Sequence, residues 1–329
     1  MSGPESKAQD KERRPVVSVL MSVYNEQPAV LERAVRSVLC QTFADFEFLL
    51  LDDGSTDAQT LSALEALANQ DARIRLCREP HRGLTRTLNV GLSYCRGEFI
   101  CRQDSDDWSE PERFERQVAF LRANPQIGMV GSHILLHRED GAPLWQGPFP
   151  ETPEAIITAF PAGNPFCHGS VCLRRAAAEQ IGGYREELPC SQDYDCFWRL
   201  CERFGGANLP EPLYHHRITR GSVSTKRARD QAVAKLLIHK LAVMRQSGEE
   251  DFCAALRYAE EQVASEDRKR DILLRQADRV MLAGFYGQAL RLYLSALRHD
   301  LCDRRAWMKL LRWAAFVSLP SLRKDLFSR

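Results

Sequence analysis

Hydrophobic residues change their spacing repeatedly along the N-terminal part of the chain. The apolar run from Val16 to Val23 is nearly continuous, as expected for a strand that is buried on both faces of a parallel sheet. From Val30 to Leu39 the apolar residues recur at helical spacing, which predicts one stripe of a helix. This alternation of strand and helix predicts an α/β fold with a mostly parallel sheet and helices on both faces. Further strands are predicted at 46–51, 74–77 and 99–101, and further helices around 61–67 and 85–94.

Another helix is predicted after Ser109. Ser109 and Glu112 have the spacing of a capping box, in which the two side chains satisfy free backbone N–H groups at the start of a helix. The apolar residues Phe114, Val118 and Leu121 follow at helical spacing and would face the core.

The C-terminal part of the chain is predicted to be helical. Helical stripes on either side of residues 284–287 predict a hairpin of two helices. At the other end, residues 1–14 are polar and lack periodicity, which predicts a mobile tail. We therefore expect a tail at 1–14, an α/β domain at 15–227 and a helical region at 228–329.

The last predicted helix combines an apolar face with basic residues. The apolar face comprises Trp307, Leu310, Leu311, Ala314 and Val317. The basic residues beside it are Arg304, Arg305, Lys309 and Arg312. Such a helix either lies on an anionic membrane surface or packs as an ordinary helix on the hairpin before it, and the sequence favours neither.

Composition narrows the classes of protein that are compatible with this pattern. The 329 residues are 44% hydrophobic and 27% charged, as in soluble globular proteins. The formal charge of +1 gives no global attraction for nucleic acid, so we expect no nucleic-acid partner. Scattered cysteines without a CxxC pair, and a polar N-terminus without a secretory signal, predict a cytoplasmic protein. No apolar stretch has the length of a bilayer span, so we expect at most peripheral contact with the inner face of the cell membrane.

Two loops that follow predicted strands carry candidate ligand-binding residues, because ligands of parallel sheets collect at the carboxyl ends of the strands. The first loop, 22–26, lacks the GxGxxG pattern of a dinucleotide site, which disfavours a nicotinamide dehydrogenase. The second loop, 52–57, is typical of a turn with a helix cap. The alternative is a base-binding site in which Asp53 accepts a hydrogen bond from a nucleobase N–H and Tyr24 packs on the base.

A third loop concentrates carboxylates. Asp104, Asp106 and Asp107 follow a predicted strand directly, and their mutual repulsion is costly unless a cation neutralises it. A solvated acidic loop is the alternative, and the position at the end of a strand disfavours it. Oxygen ligands suit Mg²⁺ or Mn²⁺, which proteins usually hold with one or two carboxylates and the phosphates of a substrate. The loop therefore predicts a divalent cation and a diphosphate ligand.

Later segments offer further polar candidates. Asp193 and Asp195 precede an apolar helix pattern, where helix capping would explain one aspartate and proton abstraction from an attacking hydroxyl the other. His168 is a candidate contact for an acceptor, although a lone histidine more often satisfies a hydrogen bond in the core. The basic cluster 215–217 is a candidate phosphate contact.

Taken together, these segments resemble the family-two inverting glycosyltransferases of the GT-A fold, of the bacterial cell-surface polysaccharide type. Each motif alone is weak, but the shared order and spacing over about two thirds of the chain are specific. The segments that carry the resemblance are 19–26, 41–47, 52–57, 83–91, 97–98, the Asp104 cluster, 164–171, 183–184 and 192–195.

The resemblance implies a Rossmann-like nucleotide-diphospho-sugar transferase fold and a reaction. A sugar would move from a nucleotide-diphosphate sugar, with UDP-sugar favoured, to a hydroxyl of a carbohydrate or lipid-linked acceptor, with inversion. Asp193 matches the catalytic base, and Asp104 and Asp106 match the DxD motif for Mn²⁺ or Mg²⁺. The implied nucleotide-sugar contacts are Ser22, Tyr24, Glu26, Asp53 and Asp104. Trp108 joins His168 as a candidate on the acceptor side.

Two departures from the family pattern affect these implications. Thr219 stands where relatives often carry a histidine, so His215, His216 or water would have to supply the remaining metal ligand. His81 stands where asparagine is common. Two alternatives stay open: a donor-binding scaffold without activity, against which the retained Asp104, Asp106 and Asp193 argue, and a sugar-phosphate nucleotidyltransferase, which would normally carry a glycine-rich basic loop after the first strand.

Overall fold

The computed structural model describes residues 14–139, 141–188, 190–218, 227–282 and 284–318. The strands are β1 (Val17–Val23), β2 (Phe46–Asp52), β3 (Ile74–Arg78), β4 (Phe99–Arg102), β5 (Trp108–Ser109), β6 (Met129–His137), β7 (Pro143–Gly147), β8 (Cys172–Arg174) and β9 (Gly206–Arg217). The helices of the α/β part are α1 (Pro28–Leu39), α2 (Ala58–Ala68), α3 (Leu84–Tyr94), α4 (Arg113–Ala123), α5 (Pro153–Ala159), α6 (Arg175–Gln180) and α7 (Gln192–Phe204), with a 3-10 turn at His168–Ser170. The C-terminal helices are α8 (Ala228–Ser247), α9 (Phe252–Val263), α10 (Glu266–Leu282), α11 (Tyr286–His299) and α12 (Arg304–Ser318).

One half of the sheet is parallel, as the alternating pattern predicts. Its strands lie in the order β3-β2-β1-β4. Val17 of β1 lies opposite Phe46 of β2 on one side and opposite Phe99 of β4 on the other. The loops after β1, β2 and β4 therefore emerge at the same edge of the sheet, which brings the candidate loops together.

The other half of the sheet is antiparallel, so the sheet is mixed rather than mostly parallel. The order continues from β4 through β8, β6 and β9 to β5, with β7 beside β6. The pairs β4–β8, β6–β8 and β5–β9 run antiparallel. β5 and β8 are two and three residues long, which is too short for a recognisable hydrophobic period.

The main core lies between the parallel strands and the helices that cover them. Val19, Met21 and Val23 of β1 are fully buried and pack in one cluster with Leu31 and Val35 of α1. Burial of each such side chain contributes about 1.5 to 3 kcal/mol. Gly91 lets α3 approach the sheet closely, since a Cβ at this position would lie 2.3 Å from Leu20 Cδ1.

The predicted capping box before α4 is wrong. α4 begins at Arg113, and Glu112 takes the N-cap position without a side-chain cap bond. Ser109 belongs to β5 and donates through Oγ to Gln103 Oε1 at 2.7 Å. Because Ser109 pairs with β9 and its hydroxyl is bonded to Gln103, its side chain does not cap α4.

The chain forms two compact units. The first comprises the described residues of 14–135, 146–187 and 192–216, and the second those of 136–145, 188–191 and 217–318. The second unit thus contains the short segments 136–145 and 188–191 in addition to the C-terminal helices. Of the predicted tail, residues 1–13 lie outside the described residues. No helix in the described part of the chain is long and apolar enough to cross a membrane.

The second unit has its own hydrophobic core, between α10, α11 and α12. The predicted helical hairpin is present as α10 and α11, and Ala277, Ala289 and Tyr293 are fully buried between them. The predicted apolar face of α12 is only partly buried. Ala306 is buried and Leu310 packs against the core, whereas Trp307, Leu311 and Val317 are exposed. The buried stripe is rotated relative to the predicted one because Ala306 and Trp313, rather than Trp307 and Leu311, face the core.

Candidate active site

Asn25 joins the loop after β1 to the loop after β2. Its Oδ1 accepts hydrogen bonds from the backbone N–H groups of Thr56, at 2.8 Å, and Asp57, at 3.0 Å. Its own N–H donates to Ser55 Oγ at 3.0 Å. Asn25 has φ of +48°, a left-handed conformation that asparagine adopts more readily than most residues. Asp57 caps α2, as the helix-cap interpretation of this loop predicts, by accepting from Thr60 N–H at 2.8 Å.

Tyr24 presents an aromatic surface beside this junction. Its ring is 47% exposed and stacks on the His81 ring, with 4.1 Å between the ring centroids and 19° between the planes. His81 Nδ1 lies 3.0 Å from Asp53 Oδ2. Ser22 and Glu26, the other candidates on these loops, are half-buried. The arrangement offers a flat, partly exposed ring pair above a buried carboxylate.

Asp53 holds the start of α3. It is buried, and its carboxylate accepts from the Arg82 N–H at 2.9 Å, the Gly83 N–H at 3.1 Å and the Thr87 hydroxyl at 2.7 Å. His81 Nδ1 lies 3.0 Å from the Asp53 backbone carbonyl oxygen as well, so the three donors above occupy three of the four lone-pair positions that a carboxylate offers. A nucleobase N–H would have to compete with these donors for Asp53.

Asp104 lies directly beyond β4, beside a buried arginine. Arg102 is 1% exposed; its Nη2 donates to Asp104 Oδ1 at 2.5 Å and its Nη1 to the Leu20 carbonyl at 2.5 Å. Burial opposes ionisation of Asp104, but Arg102 and, more weakly, His168 and His216 hold its pKa below the usual value. Asp104 is therefore an ionised carboxylate fixed through one oxygen.

The charged groups near Asp106 are mainly other carboxylates. Burial, followed by repulsion from Asp107 and Asp104 and more weakly from Glu26, raises the pKa of Asp106 to about 8. Only His216 opposes this shift among the main contributors. A carboxyl group in these surroundings is ionised at neutral pH only if additional positive charge arrives.

His216 is paired with the neighbouring carboxylate. Its Nδ1 lies 2.9 Å from Oδ2 of the buried Asp107. Burial alone would lower the pKa of His216, but Asp107 and the two other aspartates of the loop raise it to about 9. A protonated imidazole is not a metal ligand, so His216 would have to lose its proton to serve as one. Thr219 lies outside the described residues.

His168 belongs to a buried hydrogen-bond network. Its Nε2 accepts from Arg102 Nε at 3.3 Å and lies 3.2 Å from the Tyr184 hydroxyl, and its side chain is 13% exposed. Burial, and then the Arg102 charge, lower the pKa of His168. These contacts match the alternative of a histidine satisfied in the core rather than a contact for an acceptor.

Asp193 and Asp195 have different surroundings in the first turn of α7. Asp193 Oδ2 accepts from Asn164 Nδ2 at 2.8 Å. Because Asn164 Oδ1 accepts from the Phe166 N–H at 3.2 Å, its amide nitrogen necessarily points to Asp193. Asp195 is fully buried and pairs with Arg199, at 2.8 Å, and Arg185, at 3.5 Å. Asp195 is thus a structural ion pair, whereas Asp193 keeps one oxygen for another partner.

The Trp108 ring is covered by side chains of the protein. It stacks on His215, with ring centroids 4.8 Å apart, and the Arg33 guanidinium lies 3.1 Å from the ring centroid. His215 in turn lies 2.6 Å from Glu110. A sugar that stacks on Trp108 would have to displace one of these contacts.

Three comparisons with known proteins are consistent with this arrangement. The model of glycosyl transferase family 2 matches residues 18–182. The chain belongs to glycosyl transferase family 2. Among curated relatives, the putative glycosyltransferase EpsE of Bacillus subtilis is 37% identical over 209 residues, which are 62% of this chain and 73% of EpsE. The amylovoran biosynthesis glycosyltransferase AmsE of Erwinia amylovora is 28% identical over 234 residues, which are 70% of this chain and 87% of AmsE.

Solved structures confirm the GT-A fold of this family-2 glycosyltransferase. The mannosyltransferase PcManGT from Pyrobaculum calidifontis, in complex with GDP-Man and Mn²⁺, has a TM-score of 0.56 and 20% identity over 95% of this chain and 83% of its own. S. aureus TarS 1-349 in complex with UDP-GlcNAc has a TM-score of 0.56 and 19% identity over 95% of this chain and 93% of its own.

The acidic loop of this glycosyltransferase fits a divalent cation whose coordination shell is completed by a bound phosphate ligand and water. Within the described residues, no three His, Cys, Asp or Glu side chains are grouped to hold a metal ion by themselves. Mg²⁺ and Mn²⁺ commonly take one or two carboxylates and find their other ligands in phosphate and water. The carboxylates of Asp104 and Asp106, and the raised pKa of Asp106, match that requirement.

Three residues with structural roles in the site were not singled out from the sequence: Asn25, Arg102 and Asn164. A charged Arg102 at the end of the apolar segment 99–101 is a visible signal, since a buried arginine needs a specific partner. Asn25 and Asn164 carry no such signal, because asparagine in a loop is ordinarily a turn residue.

Proposed function

We propose that this glycosyltransferase moves a sugar from a nucleotide-diphosphate sugar, with UDP-sugar favoured, to an acceptor hydroxyl with inversion of configuration. The observation that carries the proposal is the position of Asp106 among Asp104, Asp107 and Glu26, where the pKa of Asp106 rises to about 8. Such repulsion suits a cation and a diphosphate. The site therefore combines a base-binding side, a diphosphate side and a proton-accepting side.

On the donor side, we propose that the exposed Tyr24 ring packs on the nucleobase. Asp53 would take a shared hydrogen bond from a base N–H such as that of uracil, while it continues to hold the start of α3. Ser22 and Glu26 line the same loop and would contact the nucleotide. The UDP-GlcNAc bound to TarS supports a UDP-sugar, and the GDP-Man bound to PcManGT leaves a purine donor as the competing choice.

On the diphosphate side, Asp104 and Asp106 would hold Mn²⁺ or Mg²⁺. The bound metal would neutralise charge that develops on the leaving nucleoside diphosphate. Arg102 fixes one oxygen of Asp104 and leaves the other for ligation. PcManGT, which was solved with Mn²⁺, supports the choice of cation.

On the acceptor side, Asp193 would accept the proton of the attacking hydroxyl. Asn164 holds Oδ2, so Oδ1 is the oxygen that is available for this proton. A single displacement on the face of the sugar opposite the leaving diphosphate inverts the anomeric centre. His168 and Trp108 would act on the acceptor only indirectly, since the protein already contacts both rings.

We propose a carbohydrate or lipid-linked acceptor in cell-surface polysaccharide synthesis at the cytoplasmic face of the membrane. The support is the similarity to the amylovoran biosynthesis glycosyltransferase AmsE and to the O-antigen biosynthesis glycosyltransferase WbnJ of Escherichia coli. We also propose that the catalytic domain ends at residue 227 and that the helical region begins at residue 228.

Calorimetric titration of nucleotide sugars with and without Mn²⁺ tests the donor and metal assignments. We expect the wild-type protein to bind its donor at least about tenfold more tightly with Mn²⁺, and Asp106→Asn to lose that gain because a ligand carboxylate is removed. Asp71→Asn is the matched control, since Asp71 pairs with Arg73 near the surface. Equal affinity with and without Mn²⁺ in wild type and Asp106→Asn would reject the metal assignment.

A further inference from the structure

The outward side of the α11–α12 region exposes large apolar residues. Leu301 is 71% exposed, Met308 60%, Leu311 62% and Trp307 45%. Met308 and Leu311 lie one helical turn apart on α12, next to the exposed Arg304 and Arg312. We define these six residues, Leu301, Arg304, Trp307, Met308, Leu311 and Arg312, as the basic apolar face.

This face is not needed for packing of the second unit. The inward stripe of α12 makes those contacts: Ala306 is fully buried, and Trp313 Nε1 donates to the Tyr286 carbonyl at 2.9 Å. Lys309 is bonded to Asp278 of α10. The exposed apolar residues therefore lie on the side of α12 opposite to the one that stabilises the fold. Single exposed hydrophobic residues are common on protein surfaces, but a cluster of them indicates a binding surface.

Charge is also segregated across α12. Residues 286–318 contain six Arg or Lys residues and two aspartates. Both aspartates pair with Arg270 of α10, Asp300 at 3.1 Å and Asp303 at 2.8 Å. Arg304 and Arg312 are exposed and make no ion pair with any residue that the structure describes. Arg270 is shared by these two aspartates and a third one of α10, so it offsets their charge only in part. The outward side carries the positive charge of Arg304 and Arg312.

We propose that the basic apolar face binds an anionic phospholipid surface. Arginine donates to phosphate in a two-pronged geometry, so Arg304 and Arg312 would contact lipid headgroups. Met308, Leu311 and Leu301 would enter the boundary of the acyl chains, which lies within a side chain's length of the headgroups. Trp307 Nε1 donates to the Leu301 carbonyl at 2.8 Å, which keeps these two residues together at the start of α12. This binding is separate from the proposed transfer reaction and does not depend on it.

Co-sedimentation of the 329-residue chain with vesicles tests the proposal. We expect binding to vesicles of equimolar phosphatidylcholine and phosphatidylglycerol, and little binding to phosphatidylcholine alone. Met308→Glu with Leu311→Glu should abolish sedimentation, because two carboxylates would face the acyl boundary. Arg304→Gln with Arg312→Gln should weaken partitioning by about 30-fold, since each cation near an anionic surface contributes about fivefold. The controls are Val243→Glu on α8, where the valine is 49% exposed, and Arg122→Gln on α4.

Unchanged thermal unfolding of each variant shows that the substitutions act at the surface. Equal binding of wild type to both kinds of vesicle, or no binding to either, would overturn the proposal. Loss of a dimer in sedimentation velocity on Met308→Glu with Leu311→Glu, without vesicle binding by wild type, would instead identify a protein interface. Vesicle binding that is lost on deletion of residues 319–329, but is unaffected by the α12 variants, would place the contact in residues 319–329 and would also contradict the proposal.

Discussion

At the scale of single residues, the contact between Asn164 and Asp193 separates two aspartates that look alike in the sequence. Asp195 is buried and held by Arg199, so it contributes to the stability of α7. Asp193 is held by a neutral amide, which orients the carboxylate without neutralising it. The base that we propose needs a carboxylate with a fixed direction, and of the two aspartates Asp193, with its neutral partner, fits this role better. We therefore propose Asn164 as a positioning residue.

Asn164→Asp should impair transfer while it leaves donor affinity intact. The variant keeps the acceptor oxygen for the Phe166 N–H but turns a carboxylate oxygen toward Asp193. We expect kcat to fall by about 100-fold, the scale expected for a misplaced catalytic group. The acid limb of the pH–rate profile should move to higher pH, because a second negative charge favours the protonated, inactive form of the base.

The pH profile distinguishes positioning from simple damage. Asn164→Ala serves as the control: it loses the amide without adding charge, so its rate should fall while its acid limb moves to higher pH by less than that of Asn164→Asp. An Asn164→Asp enzyme whose rate and acid limb both match wild type would show that the contact with Asp193 has no role in transfer.

At the scale of elements, the 3-10 turn and β9 meet the acidic loop at Gly169. A Cβ on Gly169 would lie 1.8 Å from the Tyr214 hydroxyl of β9 and 2.8 Å from Asp104 Oδ2. The Tyr214 hydroxyl also lies 3.2 Å from the Asp104 N–H, which donates to it. Arg113 of α4 donates to the Gly169 carbonyl at 2.8 Å and to the Arg102 carbonyl at 2.6 Å. Three elements therefore fix the position of Asp104, and only glycine leaves room for them.

Gly169→Ala should destabilise the protein by about 1 to 3 kcal/mol, the usual effect of overfilling a packed site. Because the added methyl group pushes on Asp104, Mn²⁺-dependent donor binding should weaken as well. Gly163→Ala is the matched control, since a Cβ there would meet nothing within 4 Å. Chemical denaturation and calorimetry measure the two effects. Identical stability and donor affinity in the two variants would show that Asp104 is not held at this position.

Sequence reasoning succeeded for the parallel half of the sheet and failed for the antiparallel half. The run through Val23 and the stripe on α1 predicted parallel strands, and the rule that ligands bind at the carboxyl ends of such strands brought the loops with Tyr24, Asp53 and Asp104 to one edge. In the antiparallel half, β5 and β8 are too short to show a hydrophobic period. The strands β6 and β9 are nine and twelve residues long and were missed as well, and the two prolines of β9 disfavour a strand. The Ser109 capping box failed because tertiary pairing with β9 overrode a local signal.

At the scale of the whole molecule, one sheet edge collects groups with three different chemical properties. The loop after β2 provides a buried carboxylate beside an exposed aromatic ring, and the loop after β4 provides carboxylates that repel one another. The start of α7 adds Asp193, whose charge acts on His168 as that of Asp104 does. The second unit has a separate hydrophobic core.

We propose that this edge transfers sugar with Asp193 as the base, and the Asp193→Asn variant is the decisive test. The measurement is paired: calorimetric affinity for the nucleotide sugar with Mn²⁺, and single-turnover transfer to an acceptor by the same preparation. We predict unchanged donor affinity and a loss of transfer of about 10² to 10⁴-fold, the contribution expected of a general base. Unchanged turnover in Asp193→Asn would contradict the account.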